Sequence, residues 1–370
     1  MVGKINSLDK KLQSFVNDIV KKDSSIFNAT LAVSSGNGNY DWSGAAGIAS
    51  QKDSIVMTTE TPFFIASITK MFTATAIMKL IQDKEIKLND PIVNYLPNNL
   101  VNGIHNYKGI DYTDKITIEH LLSHTSGIAD YFLDKNKKGK NFIDIILNEP
   151  KNPYTVDQTI AIARDELHAH FEPGKKAKYS DTNYQLLGKI IEEITGKELH
   201  QIYQDYFFVP LKMNSTWLFG KSKPIKKITH KVADFYFDDQ VVSNNRPFES
   251  SWADGGLIST TKDSIIFLKA LFAGEIIDNK TTLPMMHNWK KLDFPLKYGY
   301  GTMFIDMPSF MTMFRKIPSL TGHLGSTGTF LLYAKNLDIY LAGAINQANS
   351  PSKPVRLVFK LVSMLKKYFP

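Results

Sequence analysis

The chain has 370 residues, 43% of them apolar, no cysteine, and 44 basic against 36 acidic side chains, for a formal net charge of +8. Wholesale disorder, disulfide scaffolds, thiolate metal sites and cysteine nucleophiles are excluded, and at ~150 residues per domain the length suggests two domains. Only four of the basic residues are arginines and the lysines are scattered. Nucleic-acid readers cluster arginine forks on one face, so the charge reads as solubility with weak attraction to anionic surfaces.

Residues 1–22 space Ile5, Leu8, Leu12, Phe15, Val16 and Ile19 at helical intervals, which predicts an amphipathic helix rather than a signal peptide. Residues 28–35 predict a strand, 36–39 a hairpin-type turn and 40–49 the returning strand. Phe63-Phe64-Ile65 leads into a helix over about 67–82, and a further helix within 115–132 ends in Ser123-His124-Thr125-Ser126-Gly127. Residues 135–140 and 221–227 read as solvated lysine-rich loops. Residues 141–205 are helical in pattern, broken at Glu172-Pro173-Gly174 and Tyr179-Ser180-Asp181. A helix over 263–273 precedes strand-like runs at 299–306, 328–334 and 338–345 and a basic amphipathic segment at 355–369. The last is either a helix docked on a sheet or a membrane-surface helix. The order suggests an α+β sheet layer interrupted by a helical insertion. No run reaches the ~18 apolar residues of a membrane span. The expected location is extracytoplasmic if a signal was removed, and cytoplasmic otherwise.

Three short segments carry chemistry. Ser67-Ile68-Thr69-Lys70 puts a hydroxyl and an amine on one helix face. A serine needs a base to become a nucleophile, and desolvation among Phe64, Phe72 and Ile77 would press the amine toward its free form. The competing reading is an N-terminal serine beside a snorkelling lysine. Ser7/Lys10, Ser350/Lys353 and Ser363/Lys366 share the spacing, but in polar or terminal segments where lysine stays hydrated. Tyr179, after a Pro-Gly turn, is a proton-relay candidate or a core tyrosine beside a capping aspartate. In Gly322-His323-Leu324-Gly325-Ser326-Thr327-Gly328, the Ser326 N–H could pair with that of Ser67 as an oxyanion hole. The alternative is a glycine-rich hairpin with an incidental histidine.

In this order the segments resemble the serine β-lactamase and penicillin-binding protein superfamily. Within it they are most similar to the class C β-lactamase branch, with its D-alanyl-D-alanine carboxypeptidase and esterase relatives. Phe64 to Lys70 looks like the first motif, Tyr179-Ser180-Asp181 the second, and His323-Leu324-Gly325 the third. Leu121 to Gly127, Pro210 to Met213 and Gly255 to Thr260 also look familial.

The resemblance implies an antiparallel sheet flanked by the terminal helices (residues 1–65 and 255–370). It also implies a mainly helical second domain (66–254), with the site in the cleft between them. It further implies Ser67 as acylated nucleophile, Lys70 and Tyr179 sharing the base and relay work, and Asp181, His323, Gly325 and Ser326 binding substrate. His323 would help position Tyr179 or the substrate. No metal or organic cofactor is implied. The substrate would be a D-amino-acid peptide, a β-lactam or an ester. No nucleic-acid partner is expected, and the oligomeric state is open.

Two departures bear on substrate. Asp181 stands where the family usually has asparagine. A carboxylate only accepts hydrogen bonds, and beside Lys70 it would favour the ammonium. Either Tyr179 becomes the principal base, or the pocket turns from acylated amino-acid ligands to simpler esters or peptides. His323 replaces a lysine and is a weaker anchor for a substrate carboxylate. Arg356 is a candidate substitute anchor, or a surface or sheet-capping arginine. The leading expectation is amide or β-lactam hydrolysis. The alternatives are a carboxylesterase or a penicillin-binding sensor that acylates without turnover. His-x-Gly leans toward the peptidase side, since the esterase relatives often carry tryptophan there.

Overall fold

The structure, a computed structural model, describes residues 2–292, 295–306, 317–350 and 352–369. In chain order the elements that matter begin with α1 (Val2–Lys22), β1 (Asn28–Ser35), β2 (Asp41–Ser50), β3 (Ile55–Val56), β4 (Phe63–Phe64) and α2 (Thr69–Gln82). Then come α3 (Ile118–Leu122), α4 (Asp181–Thr195), β5 (Trp217–Leu218), β6 (Leu257–Ser259) and α5 (Thr261–Ala273). The chain closes with β7 (Lys290–Lys291), β8 (Leu296–Tyr298), β9 (Met303–Ile305), β10 (Leu320–Gly325), β11 (Thr329–Ala334), β12 (Ile339–Ala344) and α6 (Ser352–Leu365).

A nine-stranded antiparallel sheet runs β7-β8-β9-β10-β11-β12-β1-β2-β3, with both terminal helices on one face, as the resemblance implies. Strand alternation sorts the two cores. Leu31, Val33, Leu332 and Leu341 meet Leu8, Leu12 and Val16 of α1 and Val358, Leu361 and Val362 of α6. Ala32, Leu331, Ala342 and Ala344 point the other way, into the core built around α2 and α5. Small residues on this second face let the helices approach closely. There Phe72 stacks on Phe267 with ring centroids 3.7 Å apart. A helix that is apolar all round is one the core encloses. In α2 the run from Thr69 to Met78 is buried on every side, Lys70 included. No helix among the described residues is long and apolar enough to cross a membrane.

A small sheet, β4-β6-β5, stitches the start of α2 to the segment after residue 256. Ile65 N–H donates to Leu257 O (3.0 Å), and Leu257 N–H donates to Thr69 Oγ1 (3.1 Å). From the large sheet, Thr327 Oγ1 donates to Phe64 O (3.0 Å) and Thr329 Oγ1 to Ile65 O (3.1 Å). The turn that carries Ser67 is therefore fixed from two sides.

Two expectations need correction. The helix expected within 115–132 contracts to Ile118–Leu122, because His124 and Gly127 take left-handed backbone at φ 55° and 80°. The strand expected over 299–306 starts at Met303, after a turn in which Gly301 lies against α2. The third motif ends strand β10 and forms the hairpin turn into β11, with Gly325 paired to Thr329. Glycine is a poor strand former, but here it is required. A Cβ at Gly325 would stand 2.0 Å from Thr329 Oγ1 and 2.6 Å from Ile65 O.

Gly325→Ala is thus expected to push β10 off the Ser67 turn and destabilise the fold by about 1–3 kcal/mol, the usual range for overpacking. Urea denaturation checks it, and an unchanged midpoint would mean the strand can shift freely.

Candidate active site

Ser67 sits in the 3-10 turn Ala66–Ile68 that runs directly into α2. Ala66 holds φ 48°, a left-handed conformation that carries about 1–3 kcal/mol of strain in a non-glycine residue. Backbone strain of this size persists only where the surroundings over-determine it, and the stitching above does so. Ser67 faces a pocket also lined by Phe64, Phe132, Asp181, Phe235, Phe248, Ser251, Asp254, Gly255, Gly256, Ser326 and Thr327.

Lys70 lies one helical turn on, with no exposed surface. Its Nζ donates to Ser67 Oγ (3.2 Å) and to Asp254 O (2.7 Å), and forms a salt bridge with Asp181. Burial alone would lower its pKa, but the charges of Asp181, Tyr179 and Asp254 outweigh it and hold the pKa above the ordinary value. The resting amine is an ammonium. Asp181 opens the 15-residue helix α4, whose N-terminal end favours negative charge.

The Tyr179 ring lies 5.0 Å from Lys70 Nζ. Its hydroxyl is buried without a standard hydrogen bond among the described residues, yet it feels Lys70 and Ser67 electrostatically. Burial wins over those two and raises the phenol above its ordinary value, so it rests protonated. His124 is the mould for this side chain. Its ring packs on Tyr179 at 4.3 Å between centroids. Its carbonyl accepts from Lys178 N–H (2.9 Å) and its Nδ1 from Ser180 N–H (3.2 Å). One residue thus holds both chain neighbours of Tyr179.

The residues of the third motif lie in different surroundings. Ser326 is exposed on the pocket wall, on the same pocket as Ser67. Gly325 is buried and serves close packing against Ile65 and Ala66 rather than substrate contact. His323 is fully buried and absent from the pocket wall. Its Nδ1–H donates to Leu324 O (2.6 Å), which leaves Nε2 to accept from Tyr298 OH (3.1 Å). Burial first, then Lys70, drive its pKa down to about 3. It is a neutral support beneath the Tyr179 ring, 6.5 Å away between centroids. Arg356 is no anchor here, since it lines a groove between α1 and α6 with Phe15 and Lys22.

Sequence reasoning missed two buried carboxyls. Asp130 Oδ1 accepts from the N–H groups of Asp181 (3.1 Å) and Phe132 (3.0 Å). Burial and then the charge of Asp181 raise its pKa well above the ordinary value. Asp254 Oδ2 accepts from Tyr131 OH (2.7 Å), while Oδ1 has no partner among the described residues. Burial, then Asp181, push Asp254 up to about 7. Only the family-like stretch beginning at Gly255 signalled that this neighbourhood mattered. Among the described residues no group of His, Asp or Glu is arranged to hold a metal ion.

The Beta-lactamase family profile matches residues 16–361. A teichoic acid D-alanine hydrolase of Staphylococcus aureus is 27% identical over 301 residues, 80% of this chain and 65% of that protein. The chain thus spans less than two-thirds of the length of the curated relatives it matches first. A D-amino acid amidase from Ochrobactrum anthropi SV3, solved with L-phenylalanine amide, superposes with a TM-score of 0.77 at 24% identity, covering 97% of this chain and 99% of its own. An octameric penicillin-binding protein homologue from Pyrococcus abyssi gives 0.74 at 28% identity, covering 97% and 77%.

Two outcomes are expected. Asp181→Ala would strand the Lys70 ammonium in the core and destabilise the protein by about 3–5 kcal/mol, read by denaturation at pH 7. The raised pKa of Asp254 means the folded protein keeps a proton there that the unfolded chain releases near ~3.9. Its stabilising contribution is complete below that value and is lost as pH rises through about 7. Stability measured from pH 5 to 8 should fall with a component that Asp254→Asn removes.

Proposed function

The chain belongs to the beta-lactamase family, and on that premise we propose that it is a serine hydrolase of the β-lactamase and D-Ala-D-Ala carboxypeptidase type, acting through an acyl-enzyme on Ser67. The observation that carries this reading is a half-buried serine hydroxyl on a pocket wall with an ammonium 3.2 Å behind it.

Because Lys70 rests charged and Tyr179 rests protonated, neither is a free base. The carboxylate that Lys70 touches is Asp181. As Ser67 Oγ attacks the substrate carbonyl, its proton passes to Lys70 Nζ while a Lys70 proton passes to Asp181. The charge of the pair is absorbed and the tetrahedral oxyanion faces the backbone N–H groups of Ser67 and Ser326. On collapse the bond to the leaving oxygen or nitrogen breaks. The leaving group takes a proton from Tyr179 or Lys70, and Asp181 restores it. Water then repeats the sequence on the acyl ester, releasing a carboxylic acid and the serine hydroxyl.

The charge of the pocket favours D-aminoacyl esters and amides over β-lactams. Among its described lining residues the only ionisable side chains are Asp181 and Asp254. A β-lactam or a C-terminal D-Ala carries a carboxylate, which would meet no cation here except the already paired Lys70. The D-alanine hydrolase and D-amino acid amidase among its relatives support the same substrate class.

Intact-mass spectrometry tests the acyl-enzyme. With p-nitrophenyl acetate a transient adduct is expected on Ser67, with turnover, and both vanish in Ser67→Ala. Benzylpenicillin is expected to leave no lasting adduct. Ester hydrolysis that survives in Ser67→Ala would remove the nucleophile from the mechanism.

A further inference from the structure

We propose that the side chain of Asp254, with Asp181 beside it, is the seat for the free α-ammonium of the acyl group, so that the substrates are unblocked aminoacyl esters or amides. The inference deepens the acyl-enzyme reading and rests on it.

The two acids of the pocket are not equivalent. Asp181 is already neutralised by Lys70. Asp254 is 3% exposed, yet one of its carboxyl oxygens has no hydrogen-bond partner among the described residues. Buried polar atoms are usually hydrogen-bonded, and this one belongs to a residue that lines the pocket of Ser67. An ammonium supplies three donors and the complementary charge. A carboxylate in the same place would face Asp254 with no unpaired cation on the described pocket wall to offset it. An N-acetylated amine would bring one neutral N–H and extra bulk, leaving the acid unpaired.

Position agrees with chemistry. Lys70 Nζ bonds both Ser67 Oγ (3.2 Å) and the backbone carbonyl of Asp254 (2.7 Å), and Ser67 and Asp254 line the same pocket. In an aminoacyl group the ammonium is two bonds from the reacting carbonyl carbon. The remaining wall, Phe64, Phe132, Phe235 and Phe248, offers apolar surface to a small side chain and ring faces to a cation. Burial holds Asp254 near pH 7 for half-ionisation. An arriving ammonium would draw it fully to carboxylate.

The test compares D-alanine methyl ester with N-acetyl-D-alanine methyl ester by pH-stat, with p-nitrophenyl acetate as a reporter of Ser67 chemistry. The wild-type protein is expected to favour the free amine by tenfold or more in kcat/KM, and Asp254→Asn to bring that ratio close to one. Calorimetric titration of Ser67→Ala protein reads the same seat without turnover. D-alaninamide should bind at least tenfold more tightly than N-acetyl-D-alaninamide, whether or not Asp254→Asn folds. Equal or weaker binding of the free amine, or an equal or reversed ester preference, overturns the inference while p-nitrophenyl acetate is still hydrolysed. Loss of hydrolysis of all three esters by the wild-type protein would instead overturn the acyl-enzyme reading.

Discussion

A charged amine with no access to water is the constraint around which this molecule is arranged. An ammonium in a protein core is tolerable only when paired and hydrogen-bonded, and Lys70 satisfies that condition with groups from distant parts of the chain. The carboxylate of Asp181 arrives on α4, the carbonyl of Asp254 on the segment before β6, and the hydroxyl of Ser67 on its own helix. Removing the Asp181 carboxylate unbalances the charge and loosens the tie between α2 and α4 together. Folding and site assembly are therefore the same event here.

That coupling explains what the amino-acid sequence reveals and what it hides. The Ser67–Lys70 pair is legible because helical spacing is local. Tyr179 and Asp181 follow a Pro-Gly turn and lead into an apolar helix, but it is the resemblance to the family's second motif that singles them out. Strands β1, β11 and β12 show themselves through unbroken small and branched residues. His124, Asp130 and Asp254 carry no such local mark. His124 matters because its ring and carbonyl meet a strand of chain more than fifty residues away. Asp254 matters because the helix carrying Lys70 passes under it. For His323 the motif left two roles open, positioning Tyr179 or the substrate, and its burial near the Tyr179 ring favours the first. β10 was hidden because its glycines, poor strand formers in general, are needed to clear the backbone of Ile65.

Aspartate at position 181 changes more than one hydrogen bond. An amide there would leave Lys70 the only charge near the nucleophile, inviting anionic ligands. The carboxylate cancels that charge and supplies the proton acceptor that a protonated lysine and phenol lack. With Asp254 also on the pocket wall, no unpaired cation among the described residues faces the nucleophile. One substituted residue thus links the resting protonation of the site to the sign of the ligand it prefers.

The left-handed backbone at Ala66 has an engineering consequence. Glycine adopts that conformation without penalty, so the simplest route to a hardier protein runs through the residue next to the nucleophile. The same exchange would loosen the tension that aims the serine. Directed evolution for heat resistance alone would be drawn to this position and would trade turnover for endurance, so a screen for robust variants should score both properties at once.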